Sequence, residues 1–128
     1  EPRILKMAVD SKRTANVSLI SDSVAPTGLG DGSFELWGET VSVVNGRTQN
    51  ERGSIAGSVI TMLDAVRQMS RLGYSGHDLS IMSSLNPARL LGLDGEIGSL
   101  DVGKYADIVL IDESDSVKHA FVRGVPVE

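Results

Sequence analysis

The apolar positions of this chain alternate between helical and strand spacing. In "EPRILKMAVDSKR", residues 1–13, Ile4, Leu5, Ala8 and Val9 recur at helical intervals, with Glu1 and Pro2 leading and Lys12 and Arg13 closing. Acid first and base last suit the helix dipole, and proline fits a first turn, so the stretch predicts a helix. "NVSLIS", residues 16–21, is short and β-prone between polar flanks, which predicts a strand with much of it buried. Beyond it Gly28, Gly30 and Gly32 break the chain, and "FELWGETVSVV" and "RTQNERGSIAG" then flank Asn45-Gly46. Asn-Gly tolerates the positive φ of a type I′ turn, so these runs predict a hairpin.

"TMLDAVRQMSRLG" puts Met62, Leu63, Val66, Met69 and Leu72 on one face, with Thr61 as N-cap three residues before Asp64 and Gly73 as the stop. A second helix is predicted from near Ser75. It carries Leu79, Ile81, Met82 and Leu85 to "NPARLLG", where Pro87 ends one helix or opens a short next one. After Leu93 the character turns to β, in "GSL", "ADIVLID" and "HAFVRGVPV". The pattern predicts an α/β chain with a soft boundary near residue 93, dividing it into 1–93 and 94–128.

Composition narrows the function classes. The 128 residues suit one domain with a real core. A net charge of −5, with no face that concentrates Lys and Arg among aromatics, argues against nucleic acid and anionic membrane as partners. The absence of cysteine excludes disulfides, thiolate nucleophiles and Cys-based zinc sites, and points to the cytoplasm. No apolar run approaches the ~18 residues of a membrane helix. The first residue is not Met, which raises the expectation of a piece of something longer.

Few residues offer chemistry. His77, in a predicted helix, and His119, in a late strand, lie in no HxH or HExxH pattern, so both read as surface or packing residues, and these alone build no complete metal site. "GLGDGS" lacks the G-x-G-x-x-G spacing and feeds a hairpin rather than a helix, so its glycines read as turn glycines. "GSIAGS" is either a tight loop presenting N–H groups or simply the end of the hairpin before a helix cap. No G-x-S-x-G elbow supports nucleophilic catalysis. Asp22 remains: at the exit of a buried strand it is either a turn or capping residue, or a working group of the kind that barrel and open-sheet enzymes keep there.

Taken in order, "LISDSVAPTGLGDG", "GSIAGSVITMLDAVR", "SLNPARLLGLDGEIGSLDVGKYADIVLID" and "FVRGVPV" resemble the C-terminal part of the N-acetylglucosamine-6-phosphate deacetylases of the amidohydrolase superfamily. The likeness runs over essentially the whole chain. It implies the closing βα segment of a (β/α)8 barrel, residues 1–93, plus the C-terminal strands of a small β-sandwich, residues 94–128. Residues 17–22 then correspond to the last barrel strand. A barrel needs about 250 residues, so the chain is expected to be the closing part of an enzyme. The resemblance makes Asp22 the catalytic carboxylate, which takes a proton from metal-bound water and hands it to the leaving amine. It also makes Ile55, Ala56 and Gly57 a backbone contact for the sugar phosphate. Ser23 departs from the Ala that many relatives carry there.

The same resemblance implies a divalent metal, zinc or iron, with its glutamate and two histidine ligands outside this chain. An ordinary carboxylate of pKa about 3.9 facing free water of about 15.7 meets a gap of ~12 units, or roughly 16 kcal/mol, whereas metal coordination brings the water to about 7 and the cost to roughly 4 kcal/mol. The expected activity of the intact enzyme is conversion of N-acetylglucosamine 6-phosphate to glucosamine 6-phosphate and acetate. The isolated chain is expected to be inactive and to self-associate, while the full-length enzyme is expected to be a homodimer. Two other readings stay open on the sequence: another amidohydrolase acting on a cyclic amide or N-acyl amino acid, and a non-enzymatic α/β interaction module.

Overall fold

The computed structural model describes residues 1–127. The chain divides into two compact units: residues 20–65, and residues 1–19 together with the chain from Val66 onward.

The unit formed by residues 20–65 is built on a three-stranded antiparallel sheet of order β1 (Gly32–Leu36), β2 (Glu39–Val44) and β3 (Arg47–Asn50). Val41 and Val43 of β2 and Thr48 of β3 are buried on one face, and Val43 pairs with Thr48. The expected turn at Asn45-Gly46 joins β2 to β3 with φ of 51° and 70°, the positive pair a type I′ turn requires. The Asp31 carboxylate braces that tip, accepting the Asn45 N–H at 2.6 Å and the Gly46 N–H at 3.1 Å.

"FELWGETVSVV" is not the single run expected. Trp37 (φ 52°) and Gly38 (φ 81°) form a second tight turn, so its two halves fold back as β1 and β2. The Trp side chain is 88% exposed, so no burial opposes the reversal.

The other unit is mainly helical, with a small sheet. Helix α1 (Pro2–Lys12) ends where Arg13 leaves helical geometry, and a 3₁₀ turn follows at Thr14–Asn16. Helix α2 (Met62–Arg71), which runs across the division between the units, starts as its sequence requires: the Thr61 hydroxyl accepts the Asp64 N–H, and the Asp64 carboxylate accepts the Thr61 N–H at 2.9 Å. Gly73, at φ 90°, stops it.

Ser75 and Asp78 make a second reciprocal cap for α3 (Gly76–Ser80). That helix passes through a π-helical turn (Ile81–Leu85) into α4 (Asn86–Leu90), so Pro87 falls in the first turn of the next helical segment, directly after the π-helical turn. Val9, Met69, Leu79 and Met82 form the core, with Leu5, Val17, Leu19, Val66, Leu72 and Tyr74 packed around it. Full burial of each such side chain is worth about 1.5–3 kcal/mol.

Two expected strands are absent as ladders. Residues 17–21 have no strand partner among the described residues; Leu19 N–H bonds the Met82 carbonyl instead. Extended backbone becomes a ladder only beside another strand. Residues 98–100 do not pair because Gly98, at φ +87°, presses on α4, where an added Cβ would lie 2.7 Å from the Ala88 Cβ. "HAFVRGVPV" forms two strands, so the C-terminal sheet is β4 (Ile108–Ile111), β5 (Val117–Val122) and β6 (Val125–Val127) in sequence order. The Arg67 Nε–H donates to the Asp115 carbonyl at 2.9 Å and ties α2 to the loop between β4 and β5.

Candidate active site

Asp22 and the segment Ile55-Ala56-Gly57, both singled out in the sequence, lie together in the unit of residues 20–65. The Ser58 N–H donates to the Asp22 carbonyl at 2.7 Å, and the Val24 N–H returns to the Ser58 carbonyl at 2.9 Å, forming a parallel bridge between Ser23 and Ser58. Side chains reinforce it: the Ser23 hydroxyl donates to the Ile60 carbonyl at 2.5 Å, and the Ser58 hydroxyl donates to the Ser21 carbonyl. Ser23 therefore acts as a brace.

Asp22 itself is exposed and sits at φ 51°, a left-handed conformation that Asp tolerates better than most residues. Its carboxylate has no hydrogen bond or ion pair to the described residues and caps no helix. A carboxylate so placed is accessible to a molecule that approaches it.

Gly57 is adjacent. It adopts φ +72°, and a Cβ added there would lie 2.6 Å from the Val24 Cγ1 and 2.9 Å from the Asp22 carbonyl oxygen. Only glycine fits, because both the backbone conformation and the space exclude a side chain. The segment is also held from β3: the Thr48 hydroxyl donates to the Gly57 carbonyl at 2.6 Å and accepts the Ala56 N–H at 3.3 Å. Ile55 is 86% exposed.

Beside this segment lies an open cleft of about 830 Å³, lined by residues of β3 and its turn and by Ile55, Gly57 and Ser58. Arg47 is the one charged residue in that lining, which contains no carboxylate. The Asp31 carboxylate, which accepts the Asn45 and Gly46 N–H groups of the turn in that lining, lies close by and offsets that charge.

Both histidines belong to the other unit. His77 is in α3 and exposed, and His119 is on β5 with its ring centroid 6.4 Å from that of Phe121. No group of three His, Cys, Asp or Glu side chains that could hold a metal occurs among the described residues. The described residues therefore do not fit a metal by themselves. No helix among the described residues is long and apolar enough to cross a membrane.

Sequence reading missed Thr48 and Ser58, and noted Ser23 only as a departure from the resembled family. Thr48 carried a usable signal: paired with Val43 across a two-residue turn, it falls on the same inward face as the valines, where a hydroxyl needs a partner.

The model of the amidohydrolase family matches residues 4–127. An N-acetylgalactosamine-6-phosphate deacetylase of Escherichia coli O157:H7 is 38% identical over 109 residues, 84% of this chain and 29% of that protein. An N-acetylglucosamine-6-phosphate deacetylase of Bacillus subtilis is 33% identical over 124 residues, 96% of this chain and 31% of that protein. Among solved structures, the N-acetylglucosamine-6-phosphate deacetylase of Thermotoga maritima superposes with a TM-score of 0.93 at 31% identity, covering 98% of this chain and 35% of that one. Across these and other curated relatives the chain spans from 26% to 65% of their length. The fold is that of the closing βα segment of an amidohydrolase barrel with the C-terminal strands of its β-sandwich.

Proposed function

Because the chain belongs to the amidohydrolase family, we propose that it supplies the proton-transferring carboxylate and one wall of the substrate cleft to a longer deacetylase. That enzyme acts on N-acetylglucosamine 6-phosphate. Water adds to the acetyl carbonyl, the C–N bond breaks, and the products are acetate and glucosamine 6-phosphate. Asp22 takes a proton from the attacking water and delivers it to the departing nitrogen, a role worth typically 10²–10⁴-fold in rate. Ile55, Ala56 and Gly57 contact the sugar phosphate through their backbone, and the Arg47 guanidinium in the lining of the adjoining cleft pairs with the phosphate. The observation that carries the reading is the hydrogen-bonded junction of Asp22 with Ser58, which sets an unpartnered carboxylate next to Gly57.

Amidohydrolases generally work with a metal, which supplies Lewis-acid activation when bound. We place that divalent ion, zinc or iron, on ligands beyond these residues. Residues 1–93 are assigned to the barrel and those after 93 to the sandwich. The enzyme is cytoplasmic and homodimeric, and the isolated chain self-associates through its exposed apolar side chains. Cyclic amides, N-acyl amino acids and a non-enzymatic α/β interaction module are not favoured, since the relatives matched are amino-sugar phosphate deacetylases.

One second reading has support: two relatives at 38% identity are named for the galactosamine epimer, against 33–36% for those named for the glucosamine epimer. The test is acetate release from each epimer by the longer protein that carries this chain. Turnover of N-acetylglucosamine 6-phosphate is expected, and this chain alone should leave it intact. Preference for the galactosamine epimer would favour the second reading, and no turnover of either would refute both.

A further inference from the structure

We infer that Thr48 is a positioning residue for the substrate-contacting segment, setting which backbone groups of residues 55–57 remain open to a ligand. The inference rests on the proposed role of that segment and goes one step beyond it. Thr48 is 5% exposed, and its hydroxyl uses both its capacities on the segment, accepting from the Ala56 N–H at 3.3 Å and donating to the Gly57 carbonyl at 2.6 Å. These two groups are thereby occupied. The N–H groups of Ile55 and Gly57 have no hydrogen bond among the described residues, and both residues line the cleft. The segment therefore offers donors and withholds the Gly57 acceptor, which suits an anionic or carbonyl-bearing ligand. A buried hydroxyl with both partners on one short segment fixes that segment's register against β3, because either partner left unpaired would be penalised.

Thr48→Val keeps the shape and removes the hydroxyl, whereas Thr48→Ser keeps the hydroxyl. In the longer enzyme, Thr48→Val should raise KM about tenfold with kcat nearly unchanged, the signature of lost ground-state positioning, and Thr48→Ser should stay near the parent. In this chain, amide exchange at Ala56 should quicken in Thr48→Val and not in Thr48→Ser. Unchanged KM and exchange in Thr48→Val would overturn the assignment, as would equal impairment of both variants, which would make the methyl group the agent. Should Thr48→Val fail to fold, Thr48→Ser decides: parental KM and Ala56 exchange support the hydroxyl's role, and altered values refute it. Absence of deacetylation by the parent enzyme would instead strike the proposed function, leaving the exchange result to judge Thr48.

Discussion

Replacing Gly57 by alanine tests the junction at the heart of the site. The added Cβ would meet the Val24 Cγ1 at 2.6 Å and the Asp22 carbonyl oxygen at 2.9 Å, on a backbone at φ +72°. The left-handed conformation costs a non-glycine residue about 1–2 kcal/mol, and overpacking of this kind costs about 1–3 kcal/mol more. Reduced freedom of the unfolded chain returns about 0.4–1 kcal/mol. The net destabilisation is about 2–4 kcal/mol. Gly28 separates the two causes, since it has φ +83° but nothing within 4 Å of its added Cβ. Gly28→Ala should therefore cost only about 1 kcal/mol, the conformational part less the unfolded-state gain. Urea unfolding of both variants, followed by circular dichroism, supplies the comparison. Equal destabilisation by the two would refute the close approach of Gly57 to Asp22 and Val24.

Two further predictions concern the helical unit. Ser75→Ala removes the hydroxyl that accepts the Asp78 N–H and should destabilise the chain by about 1 kcal/mol in the same urea assay, whereas a change near zero would show that the cap is not used. Burial and the hydrogen bond it donates to Asp10 at 2.7 Å push the Tyr74 hydroxyl up to about 12. The folded state thus favours the neutral phenol, so this contribution to stability is complete below the ordinary tyrosine value near 10 and is lost as pH rises toward 12. Ultraviolet titration of tyrosinate should show a late component near 12 that vanishes in Tyr74→Phe; absence of that component would contradict it.

Where a local rule has a unique physical solution, the sequence was legible. Thr61 with Asp64, and a helix beginning at Ser75, mark helix starts because a short polar side chain followed by an acid can satisfy the orphan N–H groups of a first turn. Asn45-Gly46 marks a turn because few other pairs accept two positive φ values. Trp37-Gly38 makes the same turn without the usual signal, since Trp gains nothing locally from φ 52° and is held there by the pairing of β1 with β2. Residues 17–21 show the limit of periodicity, which reports which side chains are buried and says nothing of which strand pairs alongside. Asp22 was visible as a candidate from its place after an apolar run. Its backbone conformation and its bond to Ser58 were not, because both depend on a segment more than thirty residues later.

The most direct measurement is deacetylation by the longer enzyme with Asp22→Asn, which keeps the shape of the side chain and removes its ability to carry a proton. The account predicts that kcat falls by about 10²–10⁴-fold while KM changes little, with Ser58 still bonded to the unchanged Asp22 carbonyl. Turnover within a few-fold of the parent enzyme would contradict it.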